Sequence, residues 1–238
     1  MNNPTPIVIA NLKANKTWDQ MSIWLEEVGP RSNSFSGTII VCPTFTFLAS
    51  CAEKIKTAGW KLKLAGQDIS KFEQGAYTGE VAASQIADII QYSIVGHSER
   101  RKYFNETADD AIKKVKTLLV NNITPILCVS DLKQLDVYLT EGSQIIENSG
   151  RIIFVYEPPT AISSGREYKP ERPKNANEKA LEIKQKIGQK VSIIYGGSIN
   201  PENVKEFFTQ DNLDGGLIGQ ASVDPQIFIQ VIQNSIIQ

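Results

Sequence analysis

The sequence predicts an α/β fold in which eight strands and their intervening helices close into a (β/α)₈ barrel. Eight short β-branched or apolar runs recur along the 238 residues, segments with helical spacing lie between them, and no linker or change of composition divides the chain. Eight strand–helix units in about 240 residues are typical of this barrel. We therefore expect a single domain over residues 1–238. An open doubly wound sheet is the alternative that the pattern alone leaves open.

The predicted strands share continuous apolar character rather than strict alternation, as in RIIFVY (151–156) and VSIIY (191–195). Such runs are typical of parallel strands that are buried on both faces. The eight runs are Ile7–Ala10, Thr38–Cys42, Lys61–Ala65, Tyr92–Val95, Thr124–Val129, Ile152–Tyr156, Val191–Tyr195 and Gly216–Ile218.

Three segments between the strands carry a helical pattern. In DDAIKKVKTLLVNN (109–122), the apolar residues form one stripe and the lysines are predicted to lie opposite. SQIADII (84–90) and PENVKEFF (201–208) have the same spacing, and Asn200 is the expected N-cap of the latter, with Pro201 at its first helical position.

Composition excludes several classes of partner. The net charge is -1 and no long basic run occurs, so we expect neither nucleic-acid nor membrane-surface binding. No stretch reaches the 18 apolar residues that a membrane span needs, and the first residues do not resemble an export signal, which predicts a cytoplasmic protein. The three cysteines are odd in number and lack paired spacing, which favours buried thiols in a reducing compartment over a metal site.

Polar residues follow several predicted strands at the positions where a barrel carries its chemistry. Asn11 and Lys13 follow the first strand and, two residues apart, point to the same side of an extended segment. His97, the single histidine, follows the fourth strand, and Ser98 is the expected cap of a short helix there. The positive end of that helix disfavours an imidazolium ion. Glu157 follows the sixth strand, immediately before two prolines.

Glycine-led turns follow the last two strands. YGGS (195–198) and GQAS (219–222) offer successive backbone N–H groups that could hold a phosphate group.

Together these segments resemble the triosephosphate isomerase family, from Ile7 to the C-terminal helix. The matching stretches, in family order, are NLKAN, GQDIS…GAYTGE, IVGHSERR, TPILCV, YEP…AIS-SG, YGGSINPEN and GLIGQASV. The resemblance implies a TIM barrel that interconverts dihydroxyacetone phosphate and D-glyceraldehyde 3-phosphate in glycolysis and gluconeogenesis.

The resemblance also implies a role for each matching residue. Glu157 would move a proton between C1 and C2 of the triose, and a neutral His97 would donate a hydrogen bond to the carbonyl and enediolate oxygens. Lys13 and Asn11 would donate to the enediolate and the phosphate, and Glu99 would support the site from behind them. The expected phosphate donors are the backbone amides of Ser163, Ser198, Gly219 and Gln220. We expect no metal or organic cofactor, because a positioned base and an oxyanion site are sufficient for this proton transfer.

The chain departs from the family pattern in the segment Pro158–Gly165, the expected lid over the site. Pro159 and Thr160 stand where bacterial and eukaryotic members usually have Val-Trp, and Ser163 replaces the glycine at the lid tip. CVSD (128–131) replaces Cys-x-Gly-Glu, so Asp131 stands for the acid that commonly bonds the tryptophan. Gln220 replaces the second glycine of the last phosphate turn. These changes bear on the lid more than on the chemistry.

The resemblance further implies a homodimer formed through the loop Gly66–Glu80, in which Thr78 lies near the neighbouring subunit's site. Two other functions remain open at this point. One is a phosphosugar aldolase or synthase that uses the glycine turns for phosphate alone, although no predicted strand offers a clear Schiff-base lysine. The other is a catalytically silent barrel that binds phosphate or acts as a scaffold.

Overall fold

A computed structural model describes residues 6–161 and 170–236, and these form a closed barrel of eight parallel strands in the order β1 to β8. The predicted (β/α)₈ TIM barrel is confirmed. The strands are β1 (Ile7–Asn11), β2 (Thr38–Cys42), β3 (Lys63–Gly66), β4 (Tyr92–Val95), β5 (Thr124–Val129), β6 (Ile153–Tyr156), β7 (Ser192–Tyr195) and β8 (Gly215–Ile218).

The barrel closes because the first strand pairs with both the second and the last. Ile7 is in register with Thr38 on one side and with Gly215 on the other. Closure pairs every strand edge, so the described sheet leaves none open. It also directs the carboxyl ends of all eight strands to the same rim.

The helices lie around the outside of the barrel. They are α1 (Trp18–Val28), α2 (Arg31–Ser34), α3 (Leu48–Ala58), α4 (Ala83–Ile86), α5 (Ser98–Tyr103), α6 (Ala108–Val120), α7 (Leu132–Glu141), α8 (Ser143–Glu147), α9 (Pro173–Ile187), α10 (Val204–Phe208), α11 (Gln220–Val223) and α12 (Pro225–Asn234). No helix within 6–161 and 170–236 has the length and apolarity needed to cross a bilayer.

The core has two layers, because successive strand residues point to opposite faces. Ile9, Ile40 and Ile94 belong to the cluster inside the barrel, while Val8 and Val41 pack outward against the helices. Asn11 follows Ile9 by two residues, so its side chain also points inward at the rim.

Two helices differ from the predicted ones at their ends. The helix of PENVKEFF begins at Val204 instead of Pro201. The Asn200 side chain accepts from the backbone N–H groups of Glu202 and Asn203, both at 3.0 Å, and so caps a turn that precedes the helix. In SQIADII only the first turn is α-helical, and α4 ends at Ile86.

The periodicity predicts that the lysines of α6 face solvent, but not all of them do. Lys113 and Lys116 are exposed, but Lys114 is buried. The prediction was wrong for Lys114 because two acidic residues from other segments, Asp68 and Glu106, surround its ammonium group.

The predicted burial of the cysteines is confirmed. Cys42, Cys51 and Cys128 are all buried and unpaired. Burial raises the pKa of the Cys51 thiol to about 12, and it also raises the pKa of the Cys42 and Cys128 thiols.

Candidate active site

The barrel rim brings the predicted site residues into one cavity of about 390 Å³. Its lining includes Asn11, Lys13, His97, Glu157, Ser198, Gly219 and Gln220. These residues come from the ends of five strands, so only the closed barrel makes them neighbours. Glu99 stands beside the cavity and contacts it through Lys13.

His97 is itself the N-cap of α5, so the prediction that Ser98 caps this helix was wrong. The imidazole Nδ1 accepts from the backbone N–H of Glu99 at 3.2 Å. Because a backbone N–H can only donate, Nδ1 carries no proton, and the proton of the neutral ring therefore lies on Nε2. Nε2 faces the cavity and lies 3.1 Å from Glu157 Oε1.

Ser98, the residue that was predicted from the sequence to cap α5, instead holds Glu157. The Ser98 hydroxyl donates to Glu157 Oε1 at 2.8 Å, and the Ser98 backbone N–H donates to Oε2 at 2.9 Å. The carboxylate is only 1% exposed, so these hydrogen bonds replace the water that burial removed. No local pattern predicts this contact, because Ser98 and Glu157 are 59 residues apart.

Lys13 has a backbone conformation that few non-glycine residues adopt, with φ at 51°. The Gln67 amide donates to the carbonyl oxygens of Lys13 at 2.8 Å and Cys42 at 2.9 Å, which holds this conformation in place. The Lys13 ammonium donates to Glu99 Oε1 at 2.5 Å. Gln67 was missed in the sequence because it lies on a different loop.

The expected phosphate donors are placed unevenly. Gly219 and Gln220 line the cavity where α11 begins, and the first N–H groups of a helix lack intrahelical acceptors. The Ser198 backbone N–H instead donates to Ala161 O at 3.1 Å, and its hydroxyl donates to the same oxygen at 2.9 Å. Ser163, the fourth expected donor, lies outside the described residues.

Two glycines at the rim are required by their surroundings. A Cβ on Gly197 would lie 2.1 Å from the Tyr195 hydroxyl oxygen, so any other residue there would displace this buried ring. Gly96, directly before His97, has φ at 68°, in the left-handed region that glycine adopts without strain.

The start of the expected lid segment is described only as far as Ala161. Pro159–Ala161 form one 3₁₀ turn, with Thr160 exposed and Ala161 buried. Asp131 is the N-cap of α7 and accepts from the Gln134 backbone N–H at 2.8 Å, so in this chain its carboxylate has a capping function. The rest of the segment, up to Gly165, lies outside the described residues.

No cluster of three or more His, Cys, Asp or Glu side chains suited to a metal ion occurs in the described part of the chain. The polar groups that line the cavity include the Glu157 carboxylate, the His97 imidazole, the Lys13 ammonium group, the Asn11 amide and the glycine-rich turns, and the Glu202 and Asp224 carboxylates also lie on its wall. This combination offers a carboxylate that can accept a proton, side-chain hydrogen-bond donors and glycine-led turns whose backbone N–H groups suit an anion.

Comparison with known proteins agrees with this arrangement. The family model described as triosephosphate isomerase matches residues 6–235. Proteins named triosephosphate isomerase from Clostridium botulinum and Dictyoglomus turgidum are 36% and 35% identical to the chain, over 95% and 96% of it and 98% of their own lengths. One from Endomicrobium trichonymphae is 33% identical over 97% of the chain and 98% of its own length. The chain therefore belongs to the triosephosphate isomerase family.

Proposed function

We propose that the cavity isomerises triose phosphates with Glu157 as the base and neutral His97 as the hydrogen-bond donor. The Glu157 carboxylate takes a proton from C1 of dihydroxyacetone phosphate, and the C–H electron pair forms the C1–C2 double bond of an enediolate. The negative charge develops on the C2 oxygen. Glu157 then returns the proton to C2, and a proton moves from the C1 oxygen to the C2 oxygen, which gives the C1 aldehyde and C2 hydroxyl of glyceraldehyde 3-phosphate.

His97 supports the proposal because its Nε2 proton points into the cavity while Nδ1 is occupied by the Glu99 backbone N–H. In the arrangement described here, Nε2 faces Glu157 Oε1 at 3.1 Å. A substrate carbonyl oxygen would take the place of that carboxylate oxygen. Glu157 would then leave Ser98 and move toward the reacting carbon.

Lys13 and Asn11 supply the remaining polar groups near the reacting atoms. The Lys13 ammonium, 27% exposed, brings positive charge to an enediolate and a phosphate dianion. Its bond to Glu99 holds it at the rim. For the phosphate group, the proposed donors are the amides of Gly219 and Gln220, joined by Ser198 after its bond to Ala161 O is broken, and by Ser163.

The observation that carries the proposal is the contact of the buried Glu157 carboxylate with the His97 imidazole, whose Nδ1 accepts from a backbone N–H, in a cavity lined by the glycine-led turns. A coupled assay tests it: glyceraldehyde 3-phosphate is supplied, and dihydroxyacetone phosphate is detected by its NADH-dependent reduction. We expect efficient turnover that EDTA does not reduce. A silent barrel would bind phosphate without turnover, and an aldolase would form a carbon–carbon bond with an added aldehyde.

We also propose that the chain forms a homodimer through the loop Gly66–Glu80. The rings of Phe72 and Tyr77 stack with centroids 4.2 Å apart, and both remain exposed, by 37% and 44%. Tyr103 and Phe104 on the nearby end of α5 are exposed by 61% and 65%. Four exposed aromatic rings around one loop are typical of a contact surface. Thr78, within this loop, would approach the neighbouring cavity.

A cytoplasmic location agrees with this function, and the three buried thiols are suited to a reducing compartment. Cell fractionation with an antibody against the chain would test it. Recovery in the secreted or membrane fraction would contradict the proposal.

A further inference from the structure

Both backbone polar groups of Gly96, the residue before His97, are bonded to charged side chains. The Gly96 backbone N–H donates to Glu106 Oε1 at 3.0 Å, and the Gly96 carbonyl accepts from Arg101 Nη1. The left-handed φ of Gly96 sets the direction in which the backbone enters His97. Residues that hold Gly96 therefore hold the imidazole.

The Arg101 guanidinium also extends to two other loops of the rim. Nη2 donates to Ser130 Oγ and lies 3.9 Å from Glu157 Oε2. Arg101 lies one turn after Ser98 on α5, so one short helix presents to Glu157 both its hydrogen-bond donors and a cation. The guanidinium thus joins the loops after β4, β5 and β6.

Ser130 has a hydroxyl where the family pattern Cys-x-Gly-Glu has glycine. Its backbone N–H donates to Gln134 Oε1 at 2.7 Å, which anchors the residue to α7. A glycine could not provide the oxygen that accepts from Arg101. The planar guanidinium, with donors at fixed angles, can bond two oxygens simultaneously, which an ammonium group at the end of a flexible chain cannot reproduce.

We infer that Arg101, anchored by Ser130, is a positioning residue that sets the placement of His97 relative to Glu157. It touches neither the substrate nor the reacting atoms in this arrangement. Arg101 places the His97 imidazole through its hydrogen bond to the Gly96 carbonyl, and its positive charge attracts the Glu157 carboxylate. This inference rests on the proposed isomerase function.

The test uses the full chain and compares Arg101→Gln, Arg101→Lys, Ser130→Gly and the Arg101→Gln/Ser130→Gly double variant. Arg151→Gln is the matched control, because Arg151 Nη2 also donates to a backbone carbonyl, that of Leu119, at 3.4 Å, but away from the cavity. Coupled assays give kcat and KM, and circular dichroism gives the folded fraction and Tm.

We expect Arg101→Gln to lower kcat by about 100-fold while KM changes less than about threefold, since a misplacement near 1 Å costs about that factor. Arg101→Lys should recover part of the loss. Ser130→Gly should lose about three- to tenfold. The double variant should be no slower than Arg101→Gln, because Ser130 acts through Arg101. Arg151→Gln should match the wild type.

Two further measurements distinguish positioning from general destabilisation. With glyceraldehyde 3-phosphate deuterated at C2, the primary isotope effect on kcat should rise in Arg101→Gln, because proton transfer becomes rate-limiting. Inhibition by inorganic phosphate should not change, because the phosphate turns follow β7 and β8. A structural role would reduce the folded fraction and leave the isotope effect as in the wild type.

The inference is overturned if folded Arg101→Gln keeps kcat within threefold of the wild type. It is also overturned if the loss of activity is no larger than the loss of folded protein measured by circular dichroism. If Arg101→Gln does not fold, the same criteria apply to Arg101→Lys and Ser130→Gly. Additive losses in the double variant would overturn the role of Ser130. An inactive wild type would instead refute the proposed function, so the two failures are distinguishable.

Discussion

At the scale of single residues, the site is defined by which polar atoms of each side chain already make hydrogen bonds within the protein. The Glu157 carboxylate accepts two hydrogen bonds from Ser98, and His97 Nδ1 accepts one from the Glu99 backbone. These bonds leave one imidazole proton to meet a substrate. A buried carboxylate held in this way keeps its orientation without water.

Replacing Glu157 by Gln should abolish nearly all isomerisation. The amide is nearly the same size but cannot accept the proton, and a positioned base contributes about 10²–10⁴-fold. We expect the affinity for inorganic phosphate to change little. Steady-state kinetics measure both, with Glu202→Gln as the control, since Glu202 lines the same cavity without contacting His97 in the described structure. A kcat above about a tenth of wild type in Glu157→Gln would refute the assignment.

The tautomer of His97 is a second prediction at this scale. Because Nδ1 accepts from Glu99, ¹⁵N NMR of the free enzyme should show an unprotonated Nδ1 and a proton on Nε2. The chain has a single histidine, so the resonances need no assignment strategy. The same protein unfolded in urea should show a mixture of tautomers. A proton on Nδ1 in the folded enzyme would contradict the proposed donor.

At the scale of elements, α5 and α6 meet in a cluster of four charges behind the site, three of them buried and the fourth, on Arg100, partly exposed. Lys114 on α6 donates to Glu106 Oε2 at 2.6 Å and to Asp68 Oδ1 at 2.7 Å. Arg100 on α5 reaches Asp68 at 2.8 Å and Glu106 at 2.6 Å. Glu106 also bonds Gly96, so this cluster connects the loop after β3 to the backbone beside His97.

Asp68 should make stability depend on pH. Burial raises the pKa of its carboxyl to about 6, with Glu106 adding to the shift and Lys114 and Arg100 opposing it. The folded state therefore binds the Asp68 proton more tightly than the unfolded chain does. As the pH rises from about 4 to about 6, this group should lower the free energy of unfolding, by about 1–3 kcal/mol.

Urea unfolding at fixed protein concentration from pH 4 to pH 7 measures this effect. Asp68→Asn should remove the part of the decrease in the free energy of unfolding that Asp68 causes. The free energy of unfolding of this variant should therefore rise relative to that of the wild type as the pH increases. Asp109→Asn is the control, because Asp109 is an exposed acid on α6 that pairs only with Lys113 among the described ion pairs. Equal pH dependence in the two variants would contradict the role assigned to Asp68.

At the scale of the whole molecule, barrel closure decides which loops become neighbours, and the outer surface decides what the barrel contacts. The loop Gly66–Glu80 extends from the same rim as the cavity. Its stacked Phe72 and Tyr77 rings remain exposed beside the end of α5. The proposed dimer would cover this surface close to both sites.

Sedimentation velocity should find a homodimer at micromolar concentration. Tyr77→Asp should shift the equilibrium toward monomer and lower the activity, because a carboxylate would be buried in the contact. Val120→Asp is the control: Val120 is 68% exposed but lies at the end of α6 next to the start of β5. An active wild-type monomer at micromolar concentration would refute the prediction.

Much of the fold was predictable because apolar runs and glycine turns are local signals. All eight predicted strands are present, and the largest difference is at β3, which begins at Lys63 instead of Lys61. The positions of Asn11, Lys13, His97 and Glu157 at strand ends also follow from sequence, since a parallel barrel directs those ends to one rim.

The sequence alone thus determined the barrel, the order of its strands and the family to which the site belongs. Only the tertiary structure decided that His97 caps α5, that Ser98 bonds Glu157, and that Lys114 is buried. The bonds from Ser98 to Glu157 and from Lys114 to Asp68 join residues 59 and 46 positions apart. Such contacts depend on how closure aligns separate loops. No pattern of neighbouring residues encodes that alignment, because hydrophobic periodicity specifies which face is buried and not which polar group it meets.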